Sequence, residues 1–235
     1  MSTGSAVITG VGPGLGRSLV KAFATSGLNV AAASRDPGKL GGLLDGIDGG
    51  EVRGYGCDVT DEIAVEALFD RAENDLGPIR VAVFNAGAYV PGSLLETTSA
   101  EFENSWRVGC LGGFHVGKAA ASRMIGREEG SILFTGATAA LRGGAKFHNL
   151  AVGKFGLCAL SQSMAREFGP GGIHVAHIIV DGFILSERFA SLAAERPEDA
   201  LLDPDAIAAE YVHLHCQHRS AWTQELDLRP WTEKF

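Results

Sequence analysis

The sequence predicts one α/β domain: an open, doubly wound parallel sheet with helices on both faces, giving three α/β/α layers. Three observations predict it. Short apolar runs alternate with amphipathic stretches from the first residues to the last. Those apolar runs carry almost no charge, as strands covered on both faces require. The chain has 235 residues, 46% of them hydrophobic, which suits one sheet with one continuous interior.

The elements follow in order. Ser5–Thr9 is a first strand that empties into a glycine-rich turn, and a helix follows over residues 15–26. Residues 28–33 make a second buried strand, and Asp36 before Pro37 reads as a cap with proline in the first helical turn. Residues 52–57 are a third strand. Residues 61–76 are an amphipathic helix, with Ile63, Ala67, Leu68 and Ala72 expected on its buried side. Ile79–Phe84 is a fourth strand, uncharged after Arg80. A helical region over about 100–127, a strand at 131–135, a helix at 151–168 and a strand at 173–180 come next. A variable segment at 181–203 precedes a helix from about 204 to 215, and residues 222–228 form the last strand. No repeat or linker breaks the series, so right-handed crossovers build a Rossmann-type sheet as a single domain over residues 1–235.

Composition narrows the function. A formal net charge of −8 argues against nucleic-acid or membrane-surface partners. Cys57, Cys110, Cys158 and Cys216 stand at long spacings, and four buried thiols in a reducing compartment are expected. Nothing ahead of the first strand reads as a leader and no apolar stretch nears a membrane span, so the cytoplasm is the expected location.

The glycine turn carries the first chemistry. Thr9, Gly10, Gly12, Gly14, Leu15 and Gly16 fit T-G-x-x-x-G-x-G rather than strict G-x-G-x-x-G, because Leu15 stands where the last glycine of that fingerprint belongs. Missing side chains let a pyrophosphate reach the amides at the helix start, where the dipole favours an anion. The end of the second strand should meet the adenosine ribose. There, Ser34 removes a repelling acid and Arg35 can fork onto a 2′-phosphate, which favours NADP(H) over NAD(H). The alternative makes Asp36 the ribose acid and Arg35 a solvated charge.

With these residues the chain resembles the short-chain dehydrogenase/reductase family along nearly its whole length. Asp58 with Val59, the Asn85-Ala86-Gly87 segment, the helix at 151–168 and Asp181 with Gly182 fall where that family places its motifs. The resemblance implies that Asp58 meets the adenine amino group and that Asn85, Ala86 and Gly87 wall the adenine. It also implies that Lys154 bonds the nicotinamide ribose, and that the chain forms a homodimer or homotetramer. The family's Tyr-x-x-x-Lys, with a serine and an asparagine upstream, is only partly present. With Lys154 in register, the tyrosine position falls on Leu150, the serine on Ala137 and the asparagine on Gly109, which marks a divergent branch.

Loss of a positioned general acid removes roughly 10²–10⁴ in rate. Candidate replacements are Thr138, just past the serine position, His148, just before the tyrosine position, or water; His148 also reads as a histidine at the cleft rim. Thr135 and Tyr89 lie near the same cleft, and Asp181 either faces it or caps a turn. The run His213, His215, Cys216, His218 lacks a distant partner, and no metal site is expected. Trp222, Trp231 and Phe235 are expected in an interface or the core. A loop at about 183–199, with Phe183, Ile184, Leu185 and Phe189, suits a moderately apolar small-molecule substrate under a lid. Two functions remain: an oxidoreductase on a small carbonyl or alcohol with a non-standard proton donor, or a silent dinucleotide-binding sensor or oligomer partner.

Overall fold

The structure is a computed structural model and describes residues 4–233. Its strands are β1 (Ser5–Thr9), β2 (Asn29–Ser34), β3 (Val52–Gly56), β4 (Ile79–Phe84), β5 (Gly130–Thr135), β6 (Ile173–Val180) and β7 (Glu225–Leu228). All pair in parallel, in the order β3-β2-β1-β4-β5-β6-β7. The winding reverses between β1 and β4, so the loops that follow these two strands part there and leave a crevice.

The helices are α1 (Leu15–Thr25), α2 (Gly41–Leu44), α3 (Glu62–Leu76), α4 (Ser99–Trp106), α5 (Gly112–Met124), α6 (His148–Phe168), α7 (Ala190–Ala194) and α8 (Pro204–Cys216). Strand alternation divides the interior in two. Ala6 and Ile8 of β1 pack with Phe23 of α1 and Tyr211 of α8. Val7 points the other way, into a cluster with Phe69 of α3, Val116 of α5 and Leu157 of α6. No helix among the described residues is long and apolar enough to cross a membrane.

Several elements differ from expectation. Asp61 caps α3 through Ile63 N and Ala64 N, and the buried stripe is Val65, Leu68, Phe69, Ala72 and Leu76. Ile63 is therefore 81% exposed, and Ala67 also faces solvent. The helical region expected at 100–127 begins with a Thr98–Glu101 capping box and is interrupted by a π turn over Arg107–Leu111. Helix α6 starts at His148, earlier than the expected 151. The last strand is shorter than 222–228, because Trp222 leaves the ladder to stack on His174 with ring centroids 4.9 Å apart. Trp231 is exposed, which leaves out the core but not an interface, and its indole N–H donates to Glu198 O at 3.2 Å; Phe235 lies outside the described residues. Of the four thiols only Cys57 is buried; Cys110 and Cys158 are half-buried and Cys216 is exposed.

The glycine turn holds two kinds of glycine. A Cβ on Gly16 would lie 2.7 Å from Val11 Cα, whereas one on Gly12 meets nothing within 4 Å. Gly16→Ala should therefore lower unfolding stability by ~1–3 kcal/mol, and Gly12→Ala should leave it within about 0.5 kcal/mol. Urea unfolding of the ligand-free variants measures both.

Candidate active site

Two cavities open along the carboxyl ends of the strands. The first, about 310 Å³, is lined by Gly10 and Val11 after β1, Ser34 and Arg35 after β2, Asp58 and Val59 after β3, and Asn85, Ala86 and Gly87 after β4. Gly10 is required there: its φ is +77° and a Cβ would lie 2.5 Å from Ala86 N. Asn85 holds the crevice closed at its base, donating from Nδ2 to Gly10 O at 3.1 Å. Gly12 and Gly14 have open space beside them, while Leu15 and Gly16 are buried at the start of α1. Thr9 is also buried; its hydroxyl donates to Val83 O at 3.2 Å, so it ties β1 to β4 and does not face a ligand.

The rim of this cavity carries charges of both signs, Arg35 and Lys39 beside Asp36 and Asp58. Arg35 is exposed, and Lys39, which sequence reasoning missed, joins it on the lining. Asp36 is spoken for: its Oδ1 accepts from Gly38 N at 3.2 Å and its Oδ2 lies 3.3 Å from Lys39 Nζ. That assigns it the cap role expected from Pro37. Asp58 accepts from Thr60 N at 2.9 Å and from Thr60 Oγ1 at 2.8 Å, and the Thr60 backbone N–H holds its carboxyl below the usual range.

The second cavity, about 610 Å³, lies after β4, β5 and β6. Tyr89, Phe147, Leu150, Phe183 and Phe189 give it apolar walls, and Ala137, Thr138, Asp181, Gly182 and Arg188 complete much of the lining. Tyr89 packs on Phe147 with ring centroids 5.5 Å apart, and Phe183 on Phe189 at 4.9 Å. Leu150 and Ala137, where the resemblance expects a tyrosine and a serine, present only carbon side chains to this space. Gly109 lies in the π turn against α6, where a Cβ would rest 3.6 Å from Gly153 Cα.

Polar groups gather on one wall. The Thr138 hydroxyl donates to Asp181 Oδ1, and Asp181 Oδ2 lies 3.8 Å from Arg229 Nη2. Asp181 is buried, and Arg229 arrives from the chain just after β7, which lies beside β6. Gly182 has φ +145°, with Pro230 Cδ only 3.0 Å from where its Cβ would be. His148 is not brought to this wall. It opens α6, with Nε2 2.9 Å from Thr97 Oγ1 and its ring stacked on Phe102 of α4 at 6.4 Å. The physical reason is the early helix start, which turns the side chain toward α4.

Lys154 is buried one turn into α6. Its Nζ donates to Thr135 O at 2.6 Å and would stand 3.9 Å from a Cβ on Gly87. Thr135 therefore serves through its carbonyl, and its own hydroxyl pairs with Tyr211 Oη at 2.8 Å. Burial pushes the ammonium down to about 8. Between them, the open glycine turn, Arg35 at the rim and the lysine facing Gly87 suit a dinucleotide laid across the crevice. The phosphates would meet the amides near Gly12, and a ribose would meet Lys154.

The class is thus a Rossmann-type dinucleotide-binding α/β protein. Comparison makes it specific, because the short chain dehydrogenase profile matches residues 5–197, and the chain belongs to that family of oxidoreductases. A 3-oxoacyl-(acyl-carrier-protein) reductase MabA of Mycobacterium bovis is 29% identical over 197 residues, 84% of this chain and 76% of that protein. The (21S)-21-acetoxyl-apo-melianone synthase of Melia azedarach is 30% identical over 92% of this chain and 83% of its own length. Among solved structures, a short-chain dehydrogenase from Rhodopseudomonas palustris superposes with TM-score 0.81 at 38% identity, covering 96% of this chain and 99% of its own. A metagenomic short-chain oxidoreductase in complex with NADP gives 0.84 at 26% identity, over 97% and 98% of the two chains.

The lysine supplies a pH test. Its folded value of about 8 lies below the ordinary 10.5, so burying the charge costs stability fully below about pH 8, and the cost vanishes as pH rises toward 10.5. Lys154→Met escapes it. In ligand-free denaturant titrations the variant's stability relative to wild type should be highest at pH 7 and fall steadily toward pH 10.5.

Proposed function

We propose that this protein is an NADP(H)-dependent oxidoreductase acting on a small, moderately apolar alcohol or carbonyl compound, with Thr138 and Asp181 carrying the proton that the family's tyrosine would carry. The observation behind this reading is the Thr138–Asp181–Arg229 chain ending on the wall of the larger cavity. Arg35 and Lys39 would take the 2′-phosphate, Lys154 the nicotinamide ribose, and Asp58 with Asn85, Ala86 and Gly87 the adenine side.

A nicotinamide bound there supplies or accepts the hydride. The chain's own residues manage the proton. In the oxidative direction the substrate hydroxyl gives its proton to Thr138 Oγ1 while the proton of Thr138 passes to Asp181 Oδ1; in the reductive direction both move back. The Arg229 guanidinium keeps the Asp181 carboxylate in place to receive it. Tyr89, Phe147, Phe183 and Phe189 exclude water and select apolar substituents, with the segment at 183–199 as the substrate loop. Exposed Phe114 and Ile125 on α5 and its end, with Val152 and Phe155 on α6, support a homodimer or homotetramer; a cytoplasmic location is proposed with it. Neither nucleic acid nor a membrane enters this reading.

A second reading has an observation in its favour too. Leu150 and Ala137 line the reaction cavity and have no proton to exchange, as expected of a silent dinucleotide sensor or oligomer partner.

Fluorescence titration with NADPH and NADH, then turnover on a panel of secondary alcohols, aldehydes and ketones, separates them. Arg35→Ala should weaken NADPH by ~10–100-fold, the worth of a charged hydrogen bond, and barely change NADH; equal losses would remove the NADP assignment. Thr138→Val should cut kcat/KM by ~10²–10⁴ with NADPH affinity kept. Turnover insensitive to Thr138→Val but abolished by His148→Ala would overturn the relay, and tight NADPH binding without turnover of any substrate would favour the silent reading.

A further inference from the structure

On the far side of α6 from α4, three side chains of different chemistry meet without belonging to the dinucleotide crevice. His177 lies in the middle of β6 and is directly paired with Glu225 of β7, so both side chains leave the same face of the sheet. Cys158 reaches them from α6, one turn beyond Lys154. The Cys158 Sγ is 3.6 Å from Glu225 Oε2, His177 Nδ1 is 3.8 Å from the same oxygen, and all three donor atoms lie within 4.8 Å of one another.

The histidine is the telling member. Its side chain is 0% exposed, yet neither ring nitrogen has a hydrogen-bond partner. An unsatisfied buried polar group costs ~1–3 kcal/mol, and the imidazole aims its Nδ1 at a carboxylate and a thiol. From these three donors we infer that Cys158, His177 and Glu225 bind a zinc-class divalent cation, with a fourth position open to water on the half-exposed Glu225 side. Zinc holds sulfur and nitrogen at ~2.0–2.3 Å, which sets tetrahedral donors ~3.3–3.7 Å apart; the two separations to Glu225 Oε2, 3.6 and 3.8 Å, lie near that range, and Cys158 and His177, within 4.8 Å of each other, would draw together on the ion. A thiolate, an imidazole and a carboxylate together suit a borderline ion, whereas magnesium and calcium take oxygen donors.

Binding at this geometry also carries a proton balance. Burial and the nearby Lys154 charge push His177 down to about 4, so the ring is neutral and ready to bind. Burial and the Glu225 charge raise the Cys158 thiol, so binding must release its proton to solvent as the sulfur–metal bond forms. With the thiolate and the carboxylate both charged, the donor set balances a divalent ion. The ion would clamp α6, and Lys154 with it, to the β6–β7 edge. The His213, His215, Cys216, His218 run, by contrast, is dispersed: His215 Nδ1 lies 2.9 Å from Ser131 Oγ and His218 Nδ1 2.8 Å from Ser220 Oγ.

The test uses the full chain, reduced and stripped with chelator, titrated with Co²⁺ and followed by absorbance. The expected result is one equivalent bound with a thiolate-to-cobalt band and tetrahedral visible bands, all displaced by Zn²⁺. Cys158→Ser should abolish the thiolate band, Glu225→Gln should weaken binding at least about tenfold, and Cys216→Ser should change neither. Glu225 sits at the sheet edge, so its variant reports even if a change at His177 prevents folding. Absence of the band in the wild-type protein, its survival in Cys158→Ser, or its loss in Cys216→Ser would overturn the proposal. None of these readouts depends on turnover.

Discussion

Two backbones touch where the sheet changes direction. Gly10 and Ala86 approach so closely that the space of a Cβ on Gly10 is filled by Ala86 N and Cα, and the contact is pinned by Asn85 Nδ2 on Gly10 O and by Asn85 N on Thr9 O at 3.1 Å. This seam fixes the β1 turn against the β4 loop. It sets how far the β1 turn stands from the β4 loop, and hence the width of the crevice lined by Val11, Arg35 and Gly87. A side chain at residue 10 would part the two halves of the fold before it touched any ligand, so this glycine is a constraint on architecture first and on binding second.

The central strands were readable because their cause is local: β1, β5 and β6 are uncharged apolar runs buried throughout, and β4 is one after Arg80. The cap at Asp36 was readable for the same reason, since Asp-Pro fixes it within two residues. Ile63 was misplaced because periodicity alone does not fix a helix's rotation. The Asp61 cap does, and it turned the stripe to Val65 and Phe69. The direction of His148 was not legible either, since it depends on where α6 begins and on Phe102 from another helix.

The missing parts of the site were invisible for a different reason. Arg229 meets Asp181 only because β7 lies beside β6, and Lys39 meets the cavity only through the turn after β2. Long-range pairings of this kind leave no spacing in the sequence. The same holds for Cys158, His177 and Glu225, which come from a helix and two strands with no motif among them. Thr138 and Asp181 could each be singled out from the chain, but not that one donates to the other.

The tether from Lys154 Nζ to Thr135 O has an entropic side. A solvent-exposed lysine surrenders up to ~2 kcal/mol of rotamer freedom when a ligand immobilises it. Here the four-carbon stem is already threaded through the interior and its tip fixed on β5, so the folding reaction has absorbed that ordering in advance. A ribose held beside Gly87, as proposed, would meet a donor whose ordering folding has already accomplished.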